Sequence, residues 1–212
     1  MGLLKKMSAV MANPTAYRLW QQPFADMKFK PILEHNDMAK VRRVLDVGCG
    51  PGTNSMWFED MEYLGLDINP AYIEQATKRY GRDFAVADVC TYQADPEKRF
   101  DFIMMNSLLH HIDDEYTDRI LKQLAKQLTP DGHIHILDLV LPEQKSVARG
   151  LALSDRGDHP RPLEDWKEIF SRYYEPVLFE PYPLTMGGVT LWNMVYFKGK
   201  PLTPSADDSP AT

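Results

Sequence analysis

Short β-rich runs alternate with segments of helical periodicity along most of the chain, and this alternation restricts the fold more than any other feature. The runs are Arg43 to Val47, Tyr63 to Ile68, Phe84 to Val89, Phe100 to Met105 and His133 to Val140. Several are almost wholly apolar, as strands buried on both faces should be. Strands separated by helices build a parallel sheet covered by those helices, so an α/β fold is expected. After the second run, Asn69 reads as an N-cap with Pro70 at the first helical position, Ile73, Ala76 and Tyr80 on one face, and Gly81 as the stop. After the fourth, Tyr116, Ile120, Leu124 and Leu128 form a helical stripe, and Pro130-Asp131-Gly132 reads as a turn into the fifth strand. Trp166, Ile169, Phe170 and Tyr173 mark a later helix. The closing runs, Val177 to Phe179 and Leu191 to Lys198, are joined by a link containing Gly187-Gly188. That link is too short for a helical crossover of about a dozen residues, so the last two strands are expected to pair antiparallel.

Composition narrows the function. A chain of 212 residues, 44% apolar and 25% charged, suits a single domain with a sizeable core. A net charge of -6 opposes the basic footprint that nucleic-acid binding needs, so no nucleic-acid partner is expected. Cys49 and Cys90, in no CxxC arrangement, suit neither a disulfide framework nor a zinc cage, which fits a reducing compartment. No apolar run approaches the roughly 20 residues that span a bilayer. The opening Met1-Gly2-Leu3-Leu4-Lys5-Lys6 lacks the hydroxyl residue of a myristoylation signal, and Met7 to Ala12 is too short for a secretory segment. A cytoplasmic protein without membrane insertion is the expectation, with a disordered tail over 201–212 and the oligomeric state left open.

Arg43-Val44-Leu45-Asp46-Val47-Gly48-Cys49-Gly50-Pro51-Gly52 is a strand running into a glycine-rich turn that is expected to open a helix at about Thr53. Glycines 48, 50 and 52 allow positive φ and let a ligand lie against bare backbone. A dinucleotide loop reads GxGxxG, whereas here the third glycine comes one residue early and Asp46 stands two before the first. An acid there repels a pyrophosphate and attracts an ammonium. This strand and loop resemble motif I of the class I S-adenosylmethionine-dependent methyltransferases. The fourth strand running through Asn106 into Ser107-Leu108-Leu109-His110-His111 resembles motif IV of the branch that includes ubiquinone and menaquinone C-methyltransferases and many small-molecule O-methyltransferases. The resemblance covers roughly Val41 to Val140, and its parts arrive in order.

It implies a Rossmann-like, doubly wound, mainly parallel seven-stranded sheet with an antiparallel final strand, in one domain over 1–200. Within that domain, 1–40 would be a helical lid, 41–140 the cofactor-binding core, and 141–200 the acceptor-side helices and terminal strand pair. It implies S-adenosylmethionine as cofactor and a small, apolar acceptor whose nucleophile is oxygen, carbon or nitrogen. Asp67, about 20 residues past the loop, stands where an acid takes the ribose hydroxyls, and Ile68 would lie against the adenine. Read alone, Asp67 also suits an N-cap helper for the Pro70 helix. Asp88 in Ala87-Asp88-Val89 matches the acid that reaches the adenine amine, and Val89, Asn106 and Ser107 join the same site. The Asp/Asn-Pro-Pro-Phe/Tyr signature of nucleic-acid and protein amide methyltransferases is absent, which disfavours exocyclic base amines as acceptors.

Methyl transfer to a neutral hydroxyl, thiol or amine needs a base, and histidine is the natural one near neutral pH. His111 matches the more frequently occupied family position and His110 is second; both also read as polar residues capping the helix near Asp113 and Asp114. His133 and His135 share a strand face but lack a third ligand, so no metal is expected. Asp138, at the carboxyl end of that strand, could face the acceptor or bind a metal, and reads first as a supporting acid. The segment Ser154 to Pro162 and the N-terminus would build the acceptor pocket, or 154–162 is a solvated loop. Tyr17, Trp20, Phe24 and Met27 recur at i, i+3, i+7 and i+10, an aromatic stripe that would cover the site, with Tyr17 reaching the cofactor; the same stripe also reads as plain core on the sheet's flank. The rivals are an NAD(P)-dependent oxidoreductase, disfavoured by loop spacing and Asp46, and a non-catalytic S-adenosylmethionine-binding partner subunit, which a blocked acceptor mouth would mark.

Overall fold

Seven strands, β1 (Arg43–Val47), β2 (Glu62–Asp67), β3 (Asp83–Val86), β4 (Phe100–Asn106), β5 (Leu128–Val140), β6 (Tyr174–Met186) and β7 (Val189–Pro201), form one sheet in the order β3-β2-β1-β4-β5-β7-β6. The computed structural model describes residues 14–155 and 157–202, with side chains from Phe24 onward. Pairing is parallel from β3 across to β5, and β7 runs antiparallel to both β5 and β6. The helices are α1 (Pro14–His35), α2 (Pro70–Tyr80), α3 (Asp114–Ala125), α4 (Val147–Ala152) and α5 (Leu163–Ser171). Among the described residues no helix is long and apolar enough to cross a membrane.

Alternation along the strands sends side chains to opposite faces. Leu45, Val47, Ile103, Met105 and Ile136 pack with Ile120 and Leu124 of α3 and Trp166 and Phe170 of α5. Val44, Phe102, Met104 and Leu137 face the other way, onto Phe29 and Ile32 of α1. α2 forms as its sequence dictates: Asn69 accepts a hydrogen bond from the Ala71 N–H, Pro70 opens the helix, and Gly81 closes it at φ 61. α3 starts on Asp113, whose carboxylate accepts from the Tyr116 N–H, and ends before Leu128, which begins β5.

Three expectations are corrected. Pro130-Asp131-Gly132 does not separate helix from strand; it is an irregularity within β5, where Phe100 pairs with Leu128 but Phe102 pairs with His133. Past Gly52 the chain makes only a 3-10 helix, Thr53–Phe58, because the sharp turn leaves few residues before β2. The third strand stops at Val86, the partner of the last residue of β2, so Asp88 lies in the following loop.

The leader is more than a cover. Phe29 stacks on Trp57 with ring centroids 4.8 Å apart and meets Phe58 edge-on at 5.7 Å. Phe24 meets Trp192 edge-on at 5.2 Å, beside Leu139 and Leu151. From Phe24 on, α1 is therefore part of the core, and the reading of 1–40 as a lid separate from the fold does not extend to these turns. Tyr17 and Trp20 lie within α1 but their side chains fall outside the described residues, as does the tail beyond Leu202.

Candidate active site

Strand order reverses between β1 and β4, and in open α/β sheets the crevice at such a reversal, beyond the carboxyl ends of the strands, is where ligands bind. Gly48-Cys49-Gly50 leaves β1 at that point, and Ser107 follows β4 there. Gly50 has φ 53, and a Cβ on it would meet nothing within 4 Å, so bare backbone faces open space. Gly52, at φ 79, is required instead by packing: a Cβ would come within 2.8 Å of Ala76 and 2.7 Å of the Phe84 ring.

Two hollows meet at Gly48. The smaller, of about 130 Å3, is walled by Asp67, Ile68, Asp88, Val89, Leu108 and Tyr116. Ile68 is 71% exposed there. The larger, of about 410 Å3, runs from Gly50 and Asn54 past Asn106 and Ser107 to His110 and His111. That volume lies in the range of small-molecule sites. Asp67 accepts from the Gly50 N–H at 2.9 Å and, through its other oxygen, from the Asn69 N–H at 2.8 Å. It thus ties the glycine loop to the start of α2, and a carboxylate with about four lone-pair sites retains acceptor capacity for a ligand. Asp88 accepts from the Cys90 N–H at 2.9 Å and the Tyr116 hydroxyl at 3.1 Å.

Asp46 lines neither hollow. It is wholly buried, with one oxygen accepting from the Tyr63 hydroxyl at 2.8 Å and Asn54 Nδ2 at 3.3 Å, while Oδ1 has no hydrogen-bond partner among the described residues. Burial pushes its carboxyl up to about 6, against the help of Tyr63 and Asn54. The proton is held more tightly folded than unfolded, so this group's ionisation weakens the fold as pH rises from about 4 through about 6. Asp46→Asn is accordingly expected to stabilise the protein at pH 7 by up to about 3 kcal/mol and by almost nothing at pH 4, measured by urea melts at both pH values. An accompanying loss of cofactor affinity would identify Asp46 as the counter-charge of a bound ammonium.

At the far end of the larger hollow, His110 is 3% exposed and its Nδ1 lies 2.6 Å from Asp138 Oδ1. Asp138 also accepts from the N–H groups of Leu109 and Leu139, each at 2.7 Å. Burial pushes the Asp138 carboxyl up, but His110 and these two amides outweigh it and hold the group below the usual carboxylate range. The His110 ring is covered by Gly157, where a Cβ would fall 2.3 Å from Cδ2, and its carbonyl accepts from the His159 N–H at 2.9 Å. His111 is exposed on the cavity wall, its ring centroid 4.0 Å from that of His110. Neither histidine caps α3, since Asp113 does so. The two histidines therefore differ: one is locked and one is presented.

Residues 157–161 are more than a solvated loop, because Arg161 is buried and binds Asp114 at 2.7 Å and the Leu109 and Ile112 carbonyls at 3.0 and 2.7 Å, closing the segment onto the His110 turn. His135 packs face to face on Phe102 at 3.8 Å, and burial holds it well below its usual range. Among the described residues no group of three His, Cys, Asp or Glu is placed to hold a metal. Cys49 is buried and Cys90 half-buried, both unpaired as thiols.

The sequence did not point to Lys28, Trp57, Trp192 or Tyr116 as site residues. Lys28 was detectable in principle, as a cation one position past Met27 in the aromatic stripe. The others carry no signal apart from their hydrophobicity. Ser107 is the one non-glycine residue with positive φ among those described, at 56°. It is held there by its N–H donating to the Leu137 carbonyl at 2.7 Å, and strain of this kind clusters at functional sites.

A parallel sheet with a glycine loop at its reversal point and an acid at the end of the next strand defines a nucleoside-binding α/β domain of the doubly wound class. Residues 44–132 match the family model described as a methyltransferase domain. A trans-aconitate 2-methyltransferase of Methylobacterium radiotolerans is 33% identical over 62% of this chain and 49% of its own length. A phosphoethanolamine N-methyltransferase of Triticum aestivum is 30% identical over 64% of this chain and 30% of its own length. The chain thus spans half or less of the length of these curated relatives. The N-methyltransferase NodS of Bradyrhizobium japonicum, solved with S-adenosyl-L-homocysteine, shares the fold with a TM-score of 0.71 at 17% identity, over 94% of this chain and 98% of that one. Residues 44–132 thus resemble a methyltransferase domain, the whole chain shares the NodS fold, and S-adenosylmethionine is the cofactor that these likenesses support.

Proposed function

We propose that the chain transfers a methyl group from S-adenosylmethionine to a small-molecule acceptor held in the 410 Å3 hollow. The observation that carries this reading is the continuity of that cavity from the bare backbone at Gly50 to His110 and His111. The residues present suit the cofactor: the smaller hollow would take the adenine, with Ile68 and Val89 on the base and Asp88 toward its amine, and Asp67 at its rim would face the ribose. Gly48 to Gly52, Asn106 and Ser107 are left for the methionine end. When bound, the cofactor supplies an activated methyl on a sulfonium, so the leaving group needs no acid. The chain's own work is alignment, exclusion of water and removal of a proton where the acceptor carries one. His111, presented on the cavity wall, is the group assigned to that proton, and His110, locked by Asp138, supports its ring.

The open cavity favours an enzyme over a binding subunit. Its walls combine Trp57, Trp192, Met194 and Leu139 with the charged Lys28 and Asp155, so the acceptor matched to it is not purely apolar. The acceptors named for the two curated relatives, trans-aconitate and phosphoethanolamine, are both small molecules.

Asp67→Ala is expected to weaken S-adenosylmethionine binding by on the order of tenfold to several hundredfold, since it removes up to two charge-assisted contacts as well as the tie on Gly50. Calorimetry on the folded variant measures this. Unchanged affinity, or tighter binding of NAD than of S-adenosylmethionine by the parent, overturns the assignment. A screen of metabolite extract for a mass gain of about 14 Da, with cofactor added, then identifies the acceptor.

A further inference from the structure

Helix α1 crosses from the face it covers to the rim of the sheet and places a cation in the cavity. Ala25 and Lys28, one helical turn apart, both line the 410 Å3 hollow. The helix is held firmly at this turn: the Lys28 carbonyl accepts from the Tyr182 hydroxyl at 3.0 Å, and the next residue, Phe29, is stacked on Trp57. Lys28 Nζ donates to Ser107 Oγ at 3.2 Å, and Ser107 Oγ lies 3.1 Å from Asn106 Oδ1.

An ammonium has three donors. Among the described residues Ser107 Oγ is the one acceptor bonded to Lys28 Nζ, and no carboxylate forms an ion pair with it. Asp155 and Asp138 favour its charge only through space, and burial works against them, holding Lys28 below the usual lysine range. Lys28 is half-buried, and a cation partly withdrawn from water is better placed with an anion beside it. Lys28 therefore has capacity for an anion that no described residue fills.

Its position says which part of the site that anion occupies. Ser107 stands midway along the cavity, bonded to Asn106 on its Asn54 side and followed three residues later by His110, so Lys28 reaches the space between the glycine loop and the histidines. Asp67 and the smaller hollow lie beyond the glycine loop.

We propose that Lys28 anchors the acceptor, and that the acceptor is a small molecule bearing an oxyanion, either carboxylate or phosphate. This rests on the methyltransferase reading above. The oxyanion is held by Lys28, the middle of the acceptor lies along Trp57 and Trp192, and its nucleophile is turned toward His111.

The test uses the full chain and calorimetry in two stages. S-adenosylhomocysteine is titrated first, and then tricarballylate or inorganic phosphate is titrated into the S-adenosylhomocysteine complex, for the parent, Lys28→Met, Lys28→Gln and Lys28→Arg. Expected are S-adenosylhomocysteine affinities within about threefold of the parent in all variants, and oxyanion binding that falls by about tenfold or more in Lys28→Met and Lys28→Gln and is partly restored in Lys28→Arg. Whichever oxyanion binds the parent more tightly assigns carboxylate or phosphate. The proposal is overturned if neither oxyanion binds the parent, if both neutral variants bind it as the parent does, or if S-adenosylhomocysteine affinity falls about tenfold with Lys28, which would give the lysine to the cofactor. A parent that fails to bind S-adenosylhomocysteine at all marks a different failure, that of the methyltransferase reading itself.

Discussion

Replacing His110 with alanine is expected to destabilise the protein by about 2–4 kcal/mol at neutral pH, because it takes the side-chain hydrogen-bond partner away from a buried carboxylate. Asp138 is wholly buried and would keep only the Leu109 and Leu139 amides. A cavity beside Gly157 adds to the loss. The pH dependence has a definite sign. In the parent the Asp138 carboxyl is depressed, so its contribution is present above the unfolded carboxylate value near 3.9 and is lost as pH falls through the folded value. In His110→Ala the unpaired carboxylate takes up a proton more readily, so the deficit narrows as pH is lowered. Urea melts from pH 7 down to about pH 2 measure both effects. The double variant His110→Ala/Asp138→Asn should be less destabilised than the sum of its singles, because the two side chains share one hydrogen bond. A loss below about 1 kcal/mol in His110→Ala would show that the pair contributes little to the fold.

His111→Ala is expected to act on turnover instead. With a neutral hydroxyl, thiol or amine acceptor, kcat should fall by about 10² to 10⁴, while the melting temperature and S-adenosylhomocysteine affinity stay close to those of the parent. The ring is exposed and its removal opens no core cavity. The measurement is kcat on purified, folded variant, with calorimetry for the cofactor. If kcat is instead unchanged, the acceptor already carries its negative charge at the nucleophile or reacts at carbon, and His111 is a wall residue. The contrast between neighbours is the informative part: His110→Ala lowers stability first, and His111→Ala lowers rate alone.

Much of the framework was legible because its signals are local. Asn69, Pro70 and Gly81 bound α2 through dihedral preferences and one side-chain hydrogen bond, all settled within a few residues. β1 was readable to the residue, as an apolar run that ends at a glycine. Boundaries failed where a neighbour decided them. Pro130 to Gly132 carries turn chemistry, yet it is absorbed into β5 because β4 lies alongside and β7 extends the sheet. Asp88 fell outside β3 because the strand ends where its partner β2 ends.

The candidate site divides in the same way. The sequence by itself determined the glycine loop, the acid at the end of β2 and the histidine pair after β4, since each depends on spacing along one stretch of chain. Only the tertiary structure decided what those groups touch. Asp138 meets His110 across 28 residues and Lys28 meets Ser107 across 79. Tyr63 and Asn54 enclose Asp46 behind the loop that it was expected to serve. Periodicity and turn chemistry record a residue's own backbone preferences, whereas burial, charge pairing and access to a cavity depend on which distant elements the sheet order brings together at one rim.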